Sequence, residues 1–298
     1  MPFGNAYLVL ALASLFWSGN HVLGRAIAGH VPPLGISTLR WLLPALVLGV
    51  AAREHLRRDW PLIRRHWRIL LLLGLTGGSI FTVLQYVALQ YTTALNMSVM
   101  NSLAPVFMLL AGTAIFFDRL HVPQVVGIGV SFLGVIAIVT RGDFDNLAQL
   151  RFNRGDLMVV ASMSVWAIYS SFLRLCPKIH WLSFLVVLAT ISAAGTLPLF
   201  ALESWSGFTF QPTLLTAFAI FYVAIFPSVL AFAAWNRGVA LIGSNRAAPF
   251  LHLIPLYSAV LASVFLGERL MLYHAVGFAF ILTGVWLAAR QGGPESTL

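Results

Sequence analysis

The sequence predicts an all-α, polytopic membrane protein with ten transmembrane helices arranged as two inverted five-helix repeats. Two observations carry this prediction. The 298 residues are 59% hydrophobic and only 9% charged, with a mean hydropathy of +0.89, whereas an ordinary soluble domain is about 25% charged. In addition, the second half of the chain repeats a pattern of the first half at a nearly constant shift.

Ten apolar runs are long enough to cross a bilayer, for which a helix needs roughly 20 residues. The connections between them are short, the longest being 52–67 and 141–155, so we expect no sizeable soluble domain. The first run lacks a basic leading region and is longer than a typical signal peptide, which favours a retained helix. The predicted spans are 5–28, 33–51, 68–90, 94–117, 122–140, 156–175, 180–202, 212–235, 244–266 and 271–290.

The arginines predict how the chain is oriented. The connection from Arg53 to Arg68 holds six of them, and the positive-inside rule places such a loop in the cytoplasm. Ten spans then put both termini in the cytoplasm, and we expect a bacterial inner (plasma) membrane. The net charge of +9 fits this topology better than nucleic-acid binding, because the charges punctuate apolar runs and form no polar domain.

Residues 104–142 and 254–292 carry the clearest internal repeat. Five spans are an odd number, so the second unit enters the membrane from the opposite side, as in many secondary transporters. The predicted units are residues 1–142 and 143–298. The most informative matching pairs are Pro105 with Pro255, Asp118 with Glu268, Trp17 with Trp166, and Arg25 with Arg174.

This pattern resembles the drug/metabolite transporter superfamily. The resemblance rests on a tryptophan in the first span and the triplet Leu39-Arg40-Trp41 in the second, followed by a proline, an acidic-Arg-Leu triplet and spaced glycines in spans four and five. The tryptophan, the proline, the acidic-Arg-Leu triplet and the glycines recur in the second half. Within the superfamily the chain resembles the ten-helix EamA-type exporters, nearest the YddG-type exporters of aromatic and other neutral amino acids. The resemblance implies efflux of small metabolites without ATP. The first half departs from the pattern at Phe117, where the second half has Gly267.

Polar groups inside apolar spans are costly unless they find a partner or face water. Asn20 and His21 interrupt the first span, and Trp17 lies one helical turn before both. Trp166 and Tyr169 repeat that spacing in the sixth span. We interpret these residues as one strip of a midplane cavity. The alternative is that they bond across helices or pack in the core.

Further candidates come from spans three, four, eight and nine. Pro105 and Pro255 each free a backbone carbonyl four residues back, which could hold a substrate ammonium or merely kink the helix. His252 stands alone on an apolar helix and is alternatively a satisfied core residue. The complete predicted substrate-binding set is Trp17, Asn20, His21, Gln85, Tyr86, Asn96, Met100, Asn101, Trp166, Tyr169, Trp235 and His252.

These residues favour export of a neutral or aromatic amino acid by alternating access. Rings can hold an apolar side chain and, by cation–π contact, an ammonium, while Asn and Gln amides can donate to the carboxylate. Arg40 either pairs with carbonyls and snorkels outward or attracts a carboxylate. Alternative cargoes are cationic drugs, nucleobases and phosphorylated sugars. A cationic drug would favour a midplane carboxylate, but all nine acidic residues lie in loops or at span ends.

The sequence gives no support for an enzyme, since it has no HExxH, GxSxG or Gly-rich phosphate loop. The single Cys176 excludes an intramolecular disulfide and a cysteine-cluster metal site. We therefore expect no cofactor, no metal and no nucleic-acid partner. The expected partners are a small-molecule substrate and membrane lipids, with the chain a monomer or weak homodimer. The lack of a midplane carboxylate favours facilitated transport or exchange without obligatory proton coupling.

Overall fold

The structure is a computed structural model that describes residues 5–26, 31–88, 91–92, 100–143, 145, 153–205, 207, 210, 213–267 and 270–289. Within these residues every regular element is a helix. The helices are α1 (Ala6–Ala26), α2 (Pro33–Ala51), α3 (Arg53–Arg65), α4 (Trp67–Ala88), α5 (Ala104–Phe116), α6 (Val122–Val139), α7 (Arg154–Phe172), α8 (Trp181–Trp205), α9 (Leu214–Ile242), α10 (Ser244–Ala247, Ala248–His252 and Leu253–Leu266) and α11 (Leu272–Ala289).

The predicted membrane spans are confirmed as helices. In the described part of the chain, seven helices are long and apolar enough to cross a membrane, namely α2, α4 and α6 to α10. The apolar stretches of α1, α5 and α11 are shorter and account for the other three predicted spans. Helix α5 begins at Ala104, after the predicted start at residue 94, and α9 continues to Ile242, beyond the predicted end at residue 235.

The predicted connection 52–67 was wrong as a loop, because most of it forms the amphipathic helix α3. Its arginines face outward, while Asp59 and Ile63, one helical turn apart, are buried. The Asp59 carboxylate accepts a hydrogen bond from the backbone N–H of His180 at 2.8 Å, which fastens α3 to the start of α8. We call the end of the bundle that carries α3 the basic end.

Helices α6 and α11 pack with their backbones in contact. A Cβ atom added at Gly127 would lie 2.5 Å from the carbonyl oxygen of Gly284, and one at Gly134 would lie 2.5 Å from that of Gly277. Side chains as small as hydrogen are therefore required at both crossings. Such small-residue contacts are a common way to associate helices in lipid, where the hydrophobic effect between helices is absent.

The two repeats leave matching irregularities in the helices. One turn of π-helix interrupts α4 at Leu75–Ile80 and α9 at Phe226–Leu230. Helices α5 and α10 both end on a left-handed residue, Phe117 with φ 58° and Gly267 with φ 68°. Glycine adopts this conformation freely, whereas phenylalanine loses roughly 1 kcal/mol or more there. The local geometry of the repeat is thus kept even where its residue type has changed.

We predict that Gly127→Ala destabilises the protein, because the added methyl group collides with the Gly284 backbone. Gly129→Ala is the matched control: the same helix offers nothing within 4 Å of an added Cβ atom there. The expected cost of the first change is about 1–3 kcal/mol, measured as a fall in the thermal unfolding midpoint in detergent. Equal midpoints for the two variants would contradict the packing described here.

Candidate functional site

Seven aromatic rings from both repeats meet in the interior of the bundle, and we call them the aromatic cluster. They come from α1, α2, α4, α7 and α9. Most are fully buried, and Trp17 and Phe81 are partly so. The members are Trp17, Trp41, Phe81, Trp166, Tyr169, Phe232 and Trp235.

Trp166 lies at the centre of the aromatic cluster. Its ring centroid is 5.3 Å from that of Trp17, 5.1 Å from Phe81 and 5.2 Å from Tyr169. Both cluster rings of α9 are 5.7 Å away. Contacts of this kind contribute about 0.5–1.5 kcal/mol each beyond the burial of area. The rings therefore fill the space between the repeats and contact one another directly in this conformation.

Three polar groups of the cluster have partners on neighbouring helices. The Trp17 indole N–H donates to the carbonyl of Pro227, in the π segment of α9, at 3.0 Å. The Tyr169 hydroxyl donates to the Asn236 amide oxygen at 2.7 Å. The third group is the Trp235 indole N–H, which donates to a serine hydroxyl of α7 at 3.3 Å.

Two indole groups of the cluster are buried without a partner. The N–H groups of Trp41 and Trp166 have no hydrogen-bond acceptor among the described residues. An unsatisfied buried donor costs about 1–3 kcal/mol, so such groups call for an explanation. An acceptor oxygen on a bound molecule would remove this cost at both positions.

The predicted residues Gln85 and Asn101 are bonded to each other. The Gln85 amide nitrogen donates to the Asn101 side-chain oxygen at 2.8 Å and to the Ser162 hydroxyl at 2.7 Å. Gln85 lies one turn after Phe81, and Ser162 one turn before Trp166. The triad of Gln85, Asn101 and Ser162 therefore lies beside the cluster, on the side away from the basic end. Both amide protons of Gln85 already donate hydrogen bonds within the triad.

His252 is held inside the packing of α10, away from the contacts of the aromatic cluster. One ring nitrogen pairs with the Ser131 hydroxyl and the other with the carbonyl of Ser102. Near Pro255, Ser14 and Ser18 of α1 donate to the carbonyls of Phe250 and Ile254, which flank the Leu251 carbonyl that the proline frees. These contacts favour the packing interpretation of the proline-containing helix.

The remaining predicted residues do not join the cluster. Tyr86 packs against Val31 and Ile36, and Met100 is buried near Val159. Asn20 is half-buried on α1, one turn after Trp17. Asn96 and the side chain of His21 lie outside the described residues. Four of the twelve predicted residues thus meet directly: Trp17, Trp166, Tyr169 and Trp235.

Sequence reasoning missed Trp41, Phe81 and Phe232 as members of the cluster. Aromatic residues make up 13% of the chain, so an aromatic side chain in a span is a weak signal by itself. Trp41 could have been found from its neighbour Arg40, which the sequence singles out. Arg40 is buried, and its Nε–H donates to the Ser228 hydroxyl in the π segment of α9 at 3.0 Å.

The basic end of the bundle is closed by charged and polar side chains. Both terminal nitrogens of Arg174 donate to the carboxylate of Asp118, at 2.8 and 2.6 Å. The amide of Asn245 donates to the same carboxylate at 3.1 Å. These bonds join the ends of α5 and α7 to the start of α10.

A helical bundle of two repeats with seven helices long and apolar enough to cross a membrane among the described residues defines a polytopic membrane protein. Comparison with known proteins identifies it further. The chain belongs to the EamA-like transporter family, whose model matches residues 4–140 and again residues 153–290.

Relatives match the chain from end to end. An uncharacterized transporter of Archaeoglobus fulgidus is 28% identical, covering 96% of this chain and 97% of its own. A probable terminal-alkyne amino-acid exporter of Streptantibioticus cattleyicolor is 26% identical, covering 98% and 95%. A probable amino-acid metabolite efflux pump of Escherichia coli is 23% identical, covering 94% and 93%. A solved crystal structure shares the fold, with a TM-score of 0.75 at 20% identity over 95% of this chain and 96% of that one.

We predict that Cys176 reports on the closure of the basic end. Burial raises the pKa of its thiol to about 12. The thiolate is the reactive form, so maleimide labelling should be slow at pH 7 and rise about tenfold per pH unit up to that pKa. Asp118→Asn removes the negative charge that pairs with Arg174. We expect labelling at pH 8 to be roughly threefold faster or more, because a partly exposed ion pair contributes about 1 kcal/mol.

The matched control for this experiment is Glu54→Gln, which neutralises an exposed carboxylate on α3. Labelling at its wild-type rate is expected. The contacts at the basic end would have no part in closure if Asp118→Asn and Glu54→Gln were labelled at the same rate.

Proposed function

We propose that this transporter exports neutral amino acids, with the aromatic cluster as the surface that receives them. The observation that carries the proposal is the pair of unpaired indole N–H groups of Trp41 and Trp166 inside a ring cluster built by both repeats. The rings suit an apolar side chain and, by cation–π contact, an ammonium. The indole donors suit a carboxylate oxygen.

The cargo must displace some of the ring-to-ring contacts, because the rings now fill the interior. The π segments of α4 and α9 are suited to such a movement, since single π turns are frequent at functional sites. Both π segments lie beside the aromatic cluster. A Cβ atom added at Gly77 of α4 would lie 2.6 Å from the Tyr169 ring, and the Pro227 carbonyl of α9 accepts a hydrogen bond from the Trp17 indole N–H. Bending there would part the repeats on one side while the other side stays closed, and alternation of the open side is alternating access.

The relatives give independent support for this cargo class. Two of them are named for amino-acid export or efflux. The buried acidic side chains of the described residues are Asp59 on α3 and Asp156 in the first turn of α7, so neither lies at the level of the cluster. This distribution disfavours cationic drugs as cargo and favours facilitated transport or exchange over obligatory proton coupling.

The proposal includes an orientation. We propose that the basic end and both termini lie on the cytoplasmic side, because the positive-inside rule favours that side for the arginines of α3. In this orientation, the contacts of Asp118 with Arg174 and Asn245 close the cytoplasmic side of the bundle. Residues 1–142 and 143–298 are the two units that would move against each other.

The test is transport by purified protein in proteoliposomes, with competition among aromatic, aliphatic and charged amino acids. We predict discrimination among neutral side chains and a fall of roughly tenfold or more in uptake for Trp166→Ala, because the central ring contacts are lost. Trp166→Phe should keep most of the activity. The matched control is Trp205→Ala, at the exposed end of α8, which should transport at the wild-type rate.

Two results would refute the proposal. One is a clear preference for organic cations over every amino acid. The other is unchanged uptake by folded Trp166→Ala protein, with folding verified by its thermal unfolding midpoint.

A further inference from the structure

A cation lies buried beside the aromatic cluster. Arg40 of α2 is only 6% exposed, and it lies inside a membrane-spanning helix. A charged side chain at such a depth is costly unless an opposite charge or several hydrogen bonds compensate it. Most buried arginines therefore pair with a carboxylate.

Within the described part of the chain, the Arg40 guanidinium carbon lies over the Trp41 ring at 5.4 Å from its centroid, but Arg40 has no opposite charge beside it and only one hydrogen bond. Its only hydrogen bond there is the one from Nε to the Ser228 hydroxyl at 3.0 Å, and no carboxylate of these residues forms an ion pair with it. A guanidinium group carries five N–H donors. The four on the terminal nitrogens are left without a protein acceptor among the described residues.

The position of Arg40 links it to the aromatic cluster. Ser228 follows Pro227, whose carbonyl accepts the Trp17 indole N–H, so Arg40 and Trp17 bind adjacent residues of the same π segment. The next residue along α2 is Trp41, which has an unpaired indole N–H and a ring centroid 5.0 Å from that of Phe232. Unused donors of Arg40 and Trp41 thus lie at one edge of the cluster.

The corresponding interface of the other repeat carries no such charge. There α4 meets α8 through serines, with the Ser79 hydroxyl donating to the carbonyl of Ser192 at 3.2 Å and the Ser192 hydroxyl donating to that of Gly74 at 3.1 Å. The repeat counterparts of Arg40 on α8 are the neutral Ala189 and Thr190. The buried cation is therefore an asymmetric addition to a symmetric frame, as expected for a group that recognises a cargo with two different ends.

We propose that Arg40 binds the carboxylate of the cargo, with Ser228 positioning its guanidinium group. This inference rests on the proposed function and makes it more specific: the cargo must have a free carboxylate, and its ammonium and side chain face the rings. Bidentate pairing of a guanidinium with a carboxylate supplies the missing acceptors. A neutral amide in place of the carboxylate leaves the charge of Arg40 uncompensated.

The test measures competition against labelled L-phenylalanine and L-leucine in proteoliposomes. The competitors are the two amino acids, their amides and phenethylamine. Wild-type protein should bind the free acids roughly tenfold to a hundredfold more tightly than the amides, the range expected for a charge-assisted hydrogen-bonded pair. Arg40→Gln should lose most of this preference, and Arg40→Lys should retain part of it.

The ratio of acid to amide affinity separates recognition from folding. A structural role for Arg40 would weaken the acid and the amide equally, and that result would overturn the inference. So would equal affinity of wild-type protein for acid and amide while amino acids are still transported, a result that leaves the proposed function intact. If no labelled amino acid is taken up by folded wild-type protein, the proposed function itself fails, and the inference fails with it.

Discussion

Hydrocarbon offers no water to satisfy a polar group, and the whole structure depends on this constraint. Each spanning segment must satisfy its backbone hydrogen bonds, and side chains of other helices reach the backbone at or next to the π turns of α4 and α9 and the segment Ala248–His252 of α10. The carbonyl of Pro227 in one of these turns accepts the Trp17 indole N–H. Near Pro255, Ser14 and Ser18 of α1 donate hydrogen bonds to carbonyls of α10. At these positions the irregular backbone contacts a helix of the other repeat.

The same constraint divides the interior polar groups into two kinds. The Gln85 amide nitrogen and both ring nitrogens of His252 have protein partners at short distances, and these bonds stabilise the bundle. Trp41, Trp166 and Arg40 keep donors that no described residue satisfies. In water such a difference would mean little, because solvent would satisfy both kinds. In a membrane an unsatisfied donor carries a cost, which the cargo removes under the proposed function.

The sequence was sufficient for the spans and for the central pair Trp17 and Trp166, because hydropathy and the internal repeat both act over long stretches of chain. It was insufficient for α3, whose charge suggested a loop although Asp59 and Ile63 have helical spacing. It was also insufficient for the partners of Gln85 and His252. Periodicity gives the face of a helix on which a residue lies, but the neighbour that meets this face depends on the packing of distant segments. A donor without an acceptor can be recognised only when the positions of all neighbouring residues are known.

Under the proposed function, the ring-to-ring contacts of the aromatic cluster set a minimum binding free energy that the cargo must supply. Trp166 alone contacts five other rings, and a molecule that enters must replace the contacts it disrupts, since a ligand shifts a conformational equilibrium only by its differential affinity for the two states. An apolar side chain can replace ring contacts with similar ones. A carboxylate adds the acceptors that the indoles and Arg40 lack. Under the proposed function, a small hydrophobic molecule without an acceptor supplies only the first of these, whereas a zwitterion supplies both.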